Sequence, residues 1–358
     1  MAIETDLMRG SEIADLLPAI ESGERLSRRE CLRLWETHDL TSLGILANVR
    51  REAVSGNQSF YRNAFHLNPT LHSVPACRLC DRSAVSNGNT LGQEEVERLL
   101  EGLDSDATGE IHMAGGPDRA LGIGHLTTWA RCALALRPKM KLRAFTWDLL
   151  EMVAANDGGS PASVLKALLD TGLTSLVGGA LIDLGPERRH VVRGAAEEIK
   201  RRLGWLEAAA DLGLKSELSW VFGEGDDAET LVETLVVIRE MQDRFGIFEC
   251  FTPLLFHSGA EDLDLPIPTG YNQLRAVAVG RLFLDNFSRI RAPWSALSES
   301  IMQVAQWYGA DDPGSAILPT RTAPAGGLDG DMRCERLEEL LRATGRDPVD
   351  LLPGELDA

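Results

Sequence analysis

Nowhere in this sequence do about eighteen or more apolar residues follow one another, and no basic segment at the N-terminus leads into an apolar signal core. A membrane-spanning helix and a secretory leader are therefore not expected, and the chain reads as soluble and cytoplasmic. Cysteine is scarce as well. Of six cysteines only Cys77 and Cys80 lie close together, which is not the disulfide framework of a small secreted domain. A reducing compartment suits such thiols. Positive charge is also in deficit: 36 lysines and arginines stand against 54 aspartates and glutamates, a net charge of -18. Such a surface repels a phosphate backbone, which speaks against nucleic acid and leaves a small molecule or a protein as the expected partner.

What is present is enough apolar material for a large core, 44% of 358 residues, arranged in alternation without a fixed repeat. From Ser11 to about Val54 the apolar spacing is helical, with breaks at Gly23 and near Asp39. After Asn57 short apolar runs alternate with longer amphipathic stretches. Ile111–Ala114 precedes His125–Leu136, Leu142–Phe145 precedes Leu149–Ala155, and Leu173–Val177 precedes Val191–Leu212. Ser216–Phe222 then precedes Ala228–Phe245, and Ile247–Leu255 precedes Asn272–Phe287. Repeated βα pairs of this kind predict an α/β fold with a parallel sheet and right-handed crossovers. Periodicity alone leaves open whether that sheet is doubly wound or closed into a barrel. The turn-forming text Thr320–Gly330 reads as loop before a helix near Cys334 to Ala343. Three segments are expected: a helical extension over 1–57, a βα body over 58–312, and a loop-and-helix extension over 313–358.

The most informative stretch is His66-Leu67-Asn68-Pro69-Thr70-Leu71-His72-Ser73-Val74-Pro75-Ala76-Cys77-Arg78-Leu79-Cys80. Taken alone, its Cys-x-x-Cys fits a redox pair, half a zinc site or two unrelated core thiols. Its surroundings narrow the choice. Upstream stand Gly23-Glu24-Arg25-Leu26-Ser27 and Leu43-Gly44-Ile45-Leu46-Ala47-Asn48; downstream come Glu110-Ile111-His112-Met113-Ala114-Gly115-Gly116 and Arg143-Ala144-Phe145-Thr146. Ser175-Leu176 with Gly178-Gly179, Pro253-Leu254 with Phe256-His257, Leu284-Asp285-Asn286-Phe287 and Gly309-Ala310-Asp311-Asp312 follow in order. In content and spacing these segments resemble the aminofutalosine synthase-like group of the radical S-adenosylmethionine (SAM) superfamily over most of the chain.

The resemblance implies a partial TIM-like βα barrel with its site at the C-terminal mouth of the strands. It also implies SAM and a [4Fe-4S] cluster held by Cys-x-x-x-Cys-x-x-Cys, in which Ser73 takes the place of the first cysteine. Soft thiolates suit cluster iron and a neutral serine oxygen does not, so Cys77 and Cys80 remain as ligands and His72, one residue out of register, is the third candidate. By the same resemblance Gly115, Gly116, Thr146, Gly178, Gly179 and His257 line the cofactor side of the mouth. Cys77, Gly115, Thr146, Gly178, Gly223 and His257 are expected near one end of the strands. Elsewhere the chain departs from the group. Pro117-Asp118-Arg119 follows Gly116 where a histidine is usual, Glu224 stands where another histidine is usual, and the carboxylate after Gly178-Gly179 is shifted to Asp183. Arg188-Arg189 resembles a pair of the group, and Cys250 is a core thiol whose strand is able to aim it into the barrel.

Two function classes follow. One is a SAM-shaped barrel with lost or altered cluster chemistry that binds SAM or a small carboxylate substrate, menaquinone biosynthesis being the pathway of the synthases it resembles. The other is a pseudoenzyme that scaffolds an active radical SAM partner.

Overall fold

The computed structural model describes residues 6–70, 90–103, 109–116, 118–173, 175–182, 192–223, 227–255, 270–317 and 332–351. Its strands are β1 (Gln58–Leu67), β2 (Gly109–Met113), β3 (Met140–Ala144), β4 (Ser175–Leu176), β5 (Ala180–Ile182), β6 (Lys215–Phe222), β7 (Phe248–Leu255), β8 (Arg289–Ile290), β9 (Ser315–Ile317) and β10 (Asp347–Asp350). They follow the order β10-β1-β2-β3-β4-β6-β7-β8, with β5 beside β6 and β9 beside β1. Parallel pairing is found for β1 with β2 and β9, β2 with β3, β3 with β4, β4 with β6, and β7 with β8. This is the partial βα barrel that the apolar alternation left as one of two choices.

The predicted helices are present over Ile123–Leu136, Trp147–Asp157, Val192–Asp211, Ala228–Phe245, Gly270–Phe283 and Cys334–Ala343. Helices Gln93–Glu101 and Pro161–Leu169 were not expected from the pattern. The second begins directly after Gly158-Gly159-Ser160. Ser160 caps the helix, its Oγ accepting from Ser163 N at 3.2 Å, and Pro161 occupies the first turn, where its missing N–H costs nothing.

The described residues fall into two compact units, one from 1–61, 219–314 and 338–349, the other from 62–218, 315–337 and 350–358. In the first, helix Arg28–Glu36 starts at a capping box: Ser27 N donates to Glu30 Oε2 at 2.7 Å and Glu30 N to Ser27 Oγ at 3.3 Å. Its buried Trp35 meets Trp220 edge-on at 5.8 Å, and Trp220 stacks on Phe222 at 4.9 Å and on Phe251 at 6.0 Å. Burying rings of this size supplies much of the unit's apolar stabilisation, about 1.5–3 kcal/mol each.

Motifs far apart in sequence meet in this unit. Arg25 Nε bonds Asp285 Oδ2 at 2.9 Å while its Nη1 reaches Asp243 Oδ2 at 2.6 Å, and Asn286 Nδ2 donates to Asp243 Oδ1 at 2.8 Å. Hydrogen bonds from Arg25 thereby hold the exposed Asp243 carboxyl down at about 2. Gly44 leaves room for Tyr308, whose ring carbon would lie 2.8 Å from a Cβ there. Asp311, fully buried, forms an ion pair with Arg281 Nη2 at 2.7 Å and accepts hydrogen bonds from Ser55 Oγ at 2.5 Å and Ile290 N at 2.9 Å. These matches to the wider group are thus explained by packing and ion pairing.

In the second unit the strands have two unlike faces, as the period of two requires. Phe65, Leu67, Ile111, Met113, Leu142, Ala144 and Leu176 form an apolar series, and helix Ile123–Leu136 packs on β3 with Trp129 against Phe145 at 6.4 Å. The opposite series is polar. Register sets His66 beside His112, His112 beside Arg143, and Arg143 beside Ser175.

Candidate functional site

At the C-terminal ends of β2, β3 and β4 the chain joins the residues expected at the mouth. Thr146 Oγ1 donates to Gly115 O at 3.1 Å and also caps helix Trp147–Asp157, accepting from Leu149 N at 3.4 Å. Thr146 bridges to Gly178, and Trp147 N donates to Gly178 O at 3.0 Å. Gly116 N donates to Thr70 O at 3.2 Å, Gly115 N to the Asn68 side-chain oxygen at 3.5 Å, and Gly179 N to Val177 O at 3.0 Å. Gly115, Gly116, Thr146, Gly178 and Gly179 therefore share one rim. At two positions glycine is obligatory. Gly115 (φ +79°) and Gly178 (φ +74°) lie in the left-handed region, and a Cβ on Gly178 would stand 2.1 Å from Glu217 O.

His72, Ser73, Cys77, Cys80, Pro117, Asp183, Arg188, Arg189, Glu224 and His257 lie outside the described residues. Gly223 follows the C-terminal end of β6. Cys250 is the third residue of β7, buried, its Sγ 3.9 Å from Thr252 Oγ1. At about 3.3 Å per residue its Cα is some 16 Å short of the strand's C-terminal end, so the thiol is a core group.

Beneath the rim, the polar face carries an ion cluster that sequence reasoning did not single out. Glu110, 2% exposed, is the centre. Arg143, fully buried, reaches its Oε1 through Nη2 and its Oε2 through Nε, both at 3.3 Å, and Arg62 Nε lies 3.4 Å from Oε1. Arg143 Nη1 also donates to Ser175 Oγ at 2.6 Å, and its Nε lies 3.8 Å from Glu217 Oε1. His112 Nε2 sits 2.8 Å from Glu110 Oε2, and the His112 ring meets His66 edge-on at 4.8 Å. Burial alone would push the Glu110 carboxyl up; Arg143, then Arg62 and the His112 hydrogen bond outweigh it and hold the group well below the usual range. The cluster is an ionised carboxylate fixed by two guanidinium groups and turned toward an imidazole pair. One sequence signal was available: charged residues at alternate positions of otherwise apolar strands, as in Glu110-Ile111-His112, are expensive unless they meet partners.

A [4Fe-4S] cluster was expected by resemblance, and its fit rests on donor chemistry. In the register of that resemblance Ser73, Cys77 and Cys80 supply two thiolates where three irons each need a soft ligand. This donor set does not fit an ordinary three-thiolate site. Among the described residues no group of three or more histidines, cysteines, aspartates and glutamates is placed to hold a metal ion, and no helix is long and apolar enough to cross a membrane.

No protein-family model matches the chain. It is 27% identical over 360 residues to aminodeoxyfutalosine synthase of Streptomyces coelicolor, covering 94% of this chain and 91% of that protein. It is 28% identical over 354 residues to cyclic dehypoxanthine futalosine synthase of the same organism, covering 95% and 88%. Among solved structures, methylornithine synthase superposes with a TM-score of 0.68 at 16% identity over 93% of this chain and 97% of that one, a likeness of fold. Along nearly its whole length the chain is thus similar in sequence to the aminodeoxyfutalosine and cyclic dehypoxanthine futalosine synthases, and in fold to methylornithine synthase.

Proposed function

We propose that this chain is an aminofutalosine synthase-like barrel of lost or altered cluster chemistry, which binds SAM or a small carboxylate substrate at the rim formed by Gly115, Gly116, Thr146, Gly178 and Gly179. The observation that carries the reading is Ser73, an oxygen where the resemblance calls for sulfur, in a chain that keeps Cys77, Cys80 and the hydrogen-bonded frame of the rim. His257 joins the proposed ligand side, and His72 is the proposed substitute donor to iron. Cytoplasmic location and a small-molecule partner follow from the acidic surface and the scarce thiols. Pro117 and Glu224, which replace two histidines of the group, favour the second reading, a catalytically inactive scaffold for an active radical SAM partner.

When bound to three thiolates, such a cluster supplies reductive cleavage of SAM. The chain's own contribution is binding and orientation: Thr146 fixes Gly115 O, and the Gly178 turn is locked against β6. Anaerobic reconstitution with iron and sulfide, followed by iron counting and assay of 5'-deoxyadenosine, tests the reading. The wild-type chain is expected to form no product at the rate of an aminodeoxyfutalosine synthase, and Ser73→Cys to bind more iron and sulfide. Product formation by wild type that is abolished by Cys77→Ser would overturn the claim of altered chemistry. Unchanged iron content in folded Ser73→Cys protein, with no SAM binding by either form, would leave the scaffold reading.

A further inference from the structure

His66 and His112 are register partners on β1 and β2, and both belong to the polar series. Their rings meet at 4.8 Å with an interplanar angle of 80°. His112 is buried at the Glu110 side of the pair, and His66 is only partly buried. A buried carboxylate 2.8 Å from Nε2 orients an imidazole so that Nε2–H donates to it, and Nδ1 becomes the nitrogen that takes up and releases a proton. Glu110 is suited to that work. Its two guanidinium neighbours keep it ionised, so it stabilises an imidazolium without taking the proton itself.

The geometry points to a Glu110–His112–His66 proton relay beneath the rim, serving a small molecule that gains or loses a proton at oxygen, nitrogen or an activated carbon. This deepens the reading above, since it assumes a ligand at the rim and assigns the polar groups below it a part in its chemistry. In the forward direction the ligand's X–H bond breaks and an N–H bond forms on His112. The positive charge so created is offset by the Glu110 carboxylate, and His66, the more exposed ring, exchanges the proton with solvent. No electron is transferred, so the relay needs neither cluster nor external oxidant. Among the described residues, the other charged groups on this face of the strands are Arg62 on β1, Lys141 and Arg143 on β3, and Lys215 and Glu217 on β6; Ser175 on β4 accepts from Arg143. Arg62 and Arg143 both face Glu110, and the two imidazoles stand beside that ion cluster.

Nitrogen-15 NMR of the seven histidines in the full chain reads this directly. In wild type His112 is expected as the Nε2–H tautomer, held by the Glu110 carboxylate. Glu110→Gln should remove the tautomer preference; if that variant does not fold, His66→Phe, which keeps a ring of similar shape, should slow exchange of the His112 ring proton with solvent several-fold. A His112 proton resident on Nδ1, or exchange at His112 unchanged in His66→Phe, overturns the relay. Added SAM serves as the ligand probe. Shifts at Thr146 and Gly179 without any at His66 or His112 would leave the binding reading intact and sink the relay. Shifts at none of these residues would sink the SAM reading, while the His112 tautomer and its dependence on Glu110 would still stand for the relay.

Discussion

Glu110→Gln removes one negative charge and almost no volume, so its effect isolates the electrostatics of the buried cluster. In wild type the carboxylate faces Arg143 at two contacts of 3.3 Å and Arg62 at 3.4 Å, with Arg143 fully buried and Arg62 2% exposed. In the variant the two guanidinium groups stay buried and lose the charge of the carboxylate they share, with Glu217 3.8 Å from Arg143. Losing one partner of a buried ion pair costs about 3–5 kcal/mol, a large part of the roughly 5–15 kcal/mol that separates folded from unfolded states. At about 2.1 cal/mol/K of unfolding entropy per residue, a chain of 358 residues shifts by about 1.3 °C per kcal/mol, so the melting temperature should fall by roughly 4–7 °C. Urea unfolding followed by tryptophan fluorescence supplies the free energy, and thermal circular dichroism the midpoint. A pH series adds an independent arm. Because the folded-state pKa of Glu110 is depressed, the group contributes stability that is present above its unfolded value, about 4.3, and is lost as pH falls through the folded value. Wild type should therefore lose more stability than Glu110→Gln between neutral and acid pH. A loss below about 1 kcal/mol at pH 7, the size of a surface pair, would refute the view of Glu110 as the keystone of this face.

Gly178→Ala should destabilise by well over about 1 kcal/mol, because the new Cβ would sit 2.1 Å from a strand carbonyl at a φ of +74°; a wild-type melting temperature would show that the turn can rearrange. Thr146→Ala should cost about 1 kcal/mol by removing a helix cap and the bond to Gly115 O, and Thr146→Ser should restore it, as read by urea midpoints. Arg25→Ala should let the Asp243 carboxyl rise from about 2 toward the ordinary value near ~3.9, visible by carbon-13 NMR titration, with a stability change of only about 1 kcal/mol or less since both groups are exposed. Stability from that pair is present above the unfolded pKa and is lost as pH falls toward 2.

The βα order, the helix from Cys334 to Ala343, and the breaks at Gly23 and Asp39 were legible in the chain because each rests on neighbours within a few residues. Apolar periodicity, a capping side chain and a glycine past a helix end act locally. The rim was legible for a different reason: resemblance to the wider group set Gly115, Thr146 and Gly178 after strands, and the parallel pairing of β2, β3 and β4 brings those positions side by side. What the sequence by itself could not decide was which polar residues face one another. Arg25 and Asp285 are 260 residues apart, and nothing local marks them as partners. Arg62, Glu110, Arg143 and Glu217 come from four strands, and a strand's period of two separates its faces without saying which is covered by helices or which charges meet. Strand order and register decided that, because a buried charge is tolerable only where its partners arrive from elsewhere in the fold.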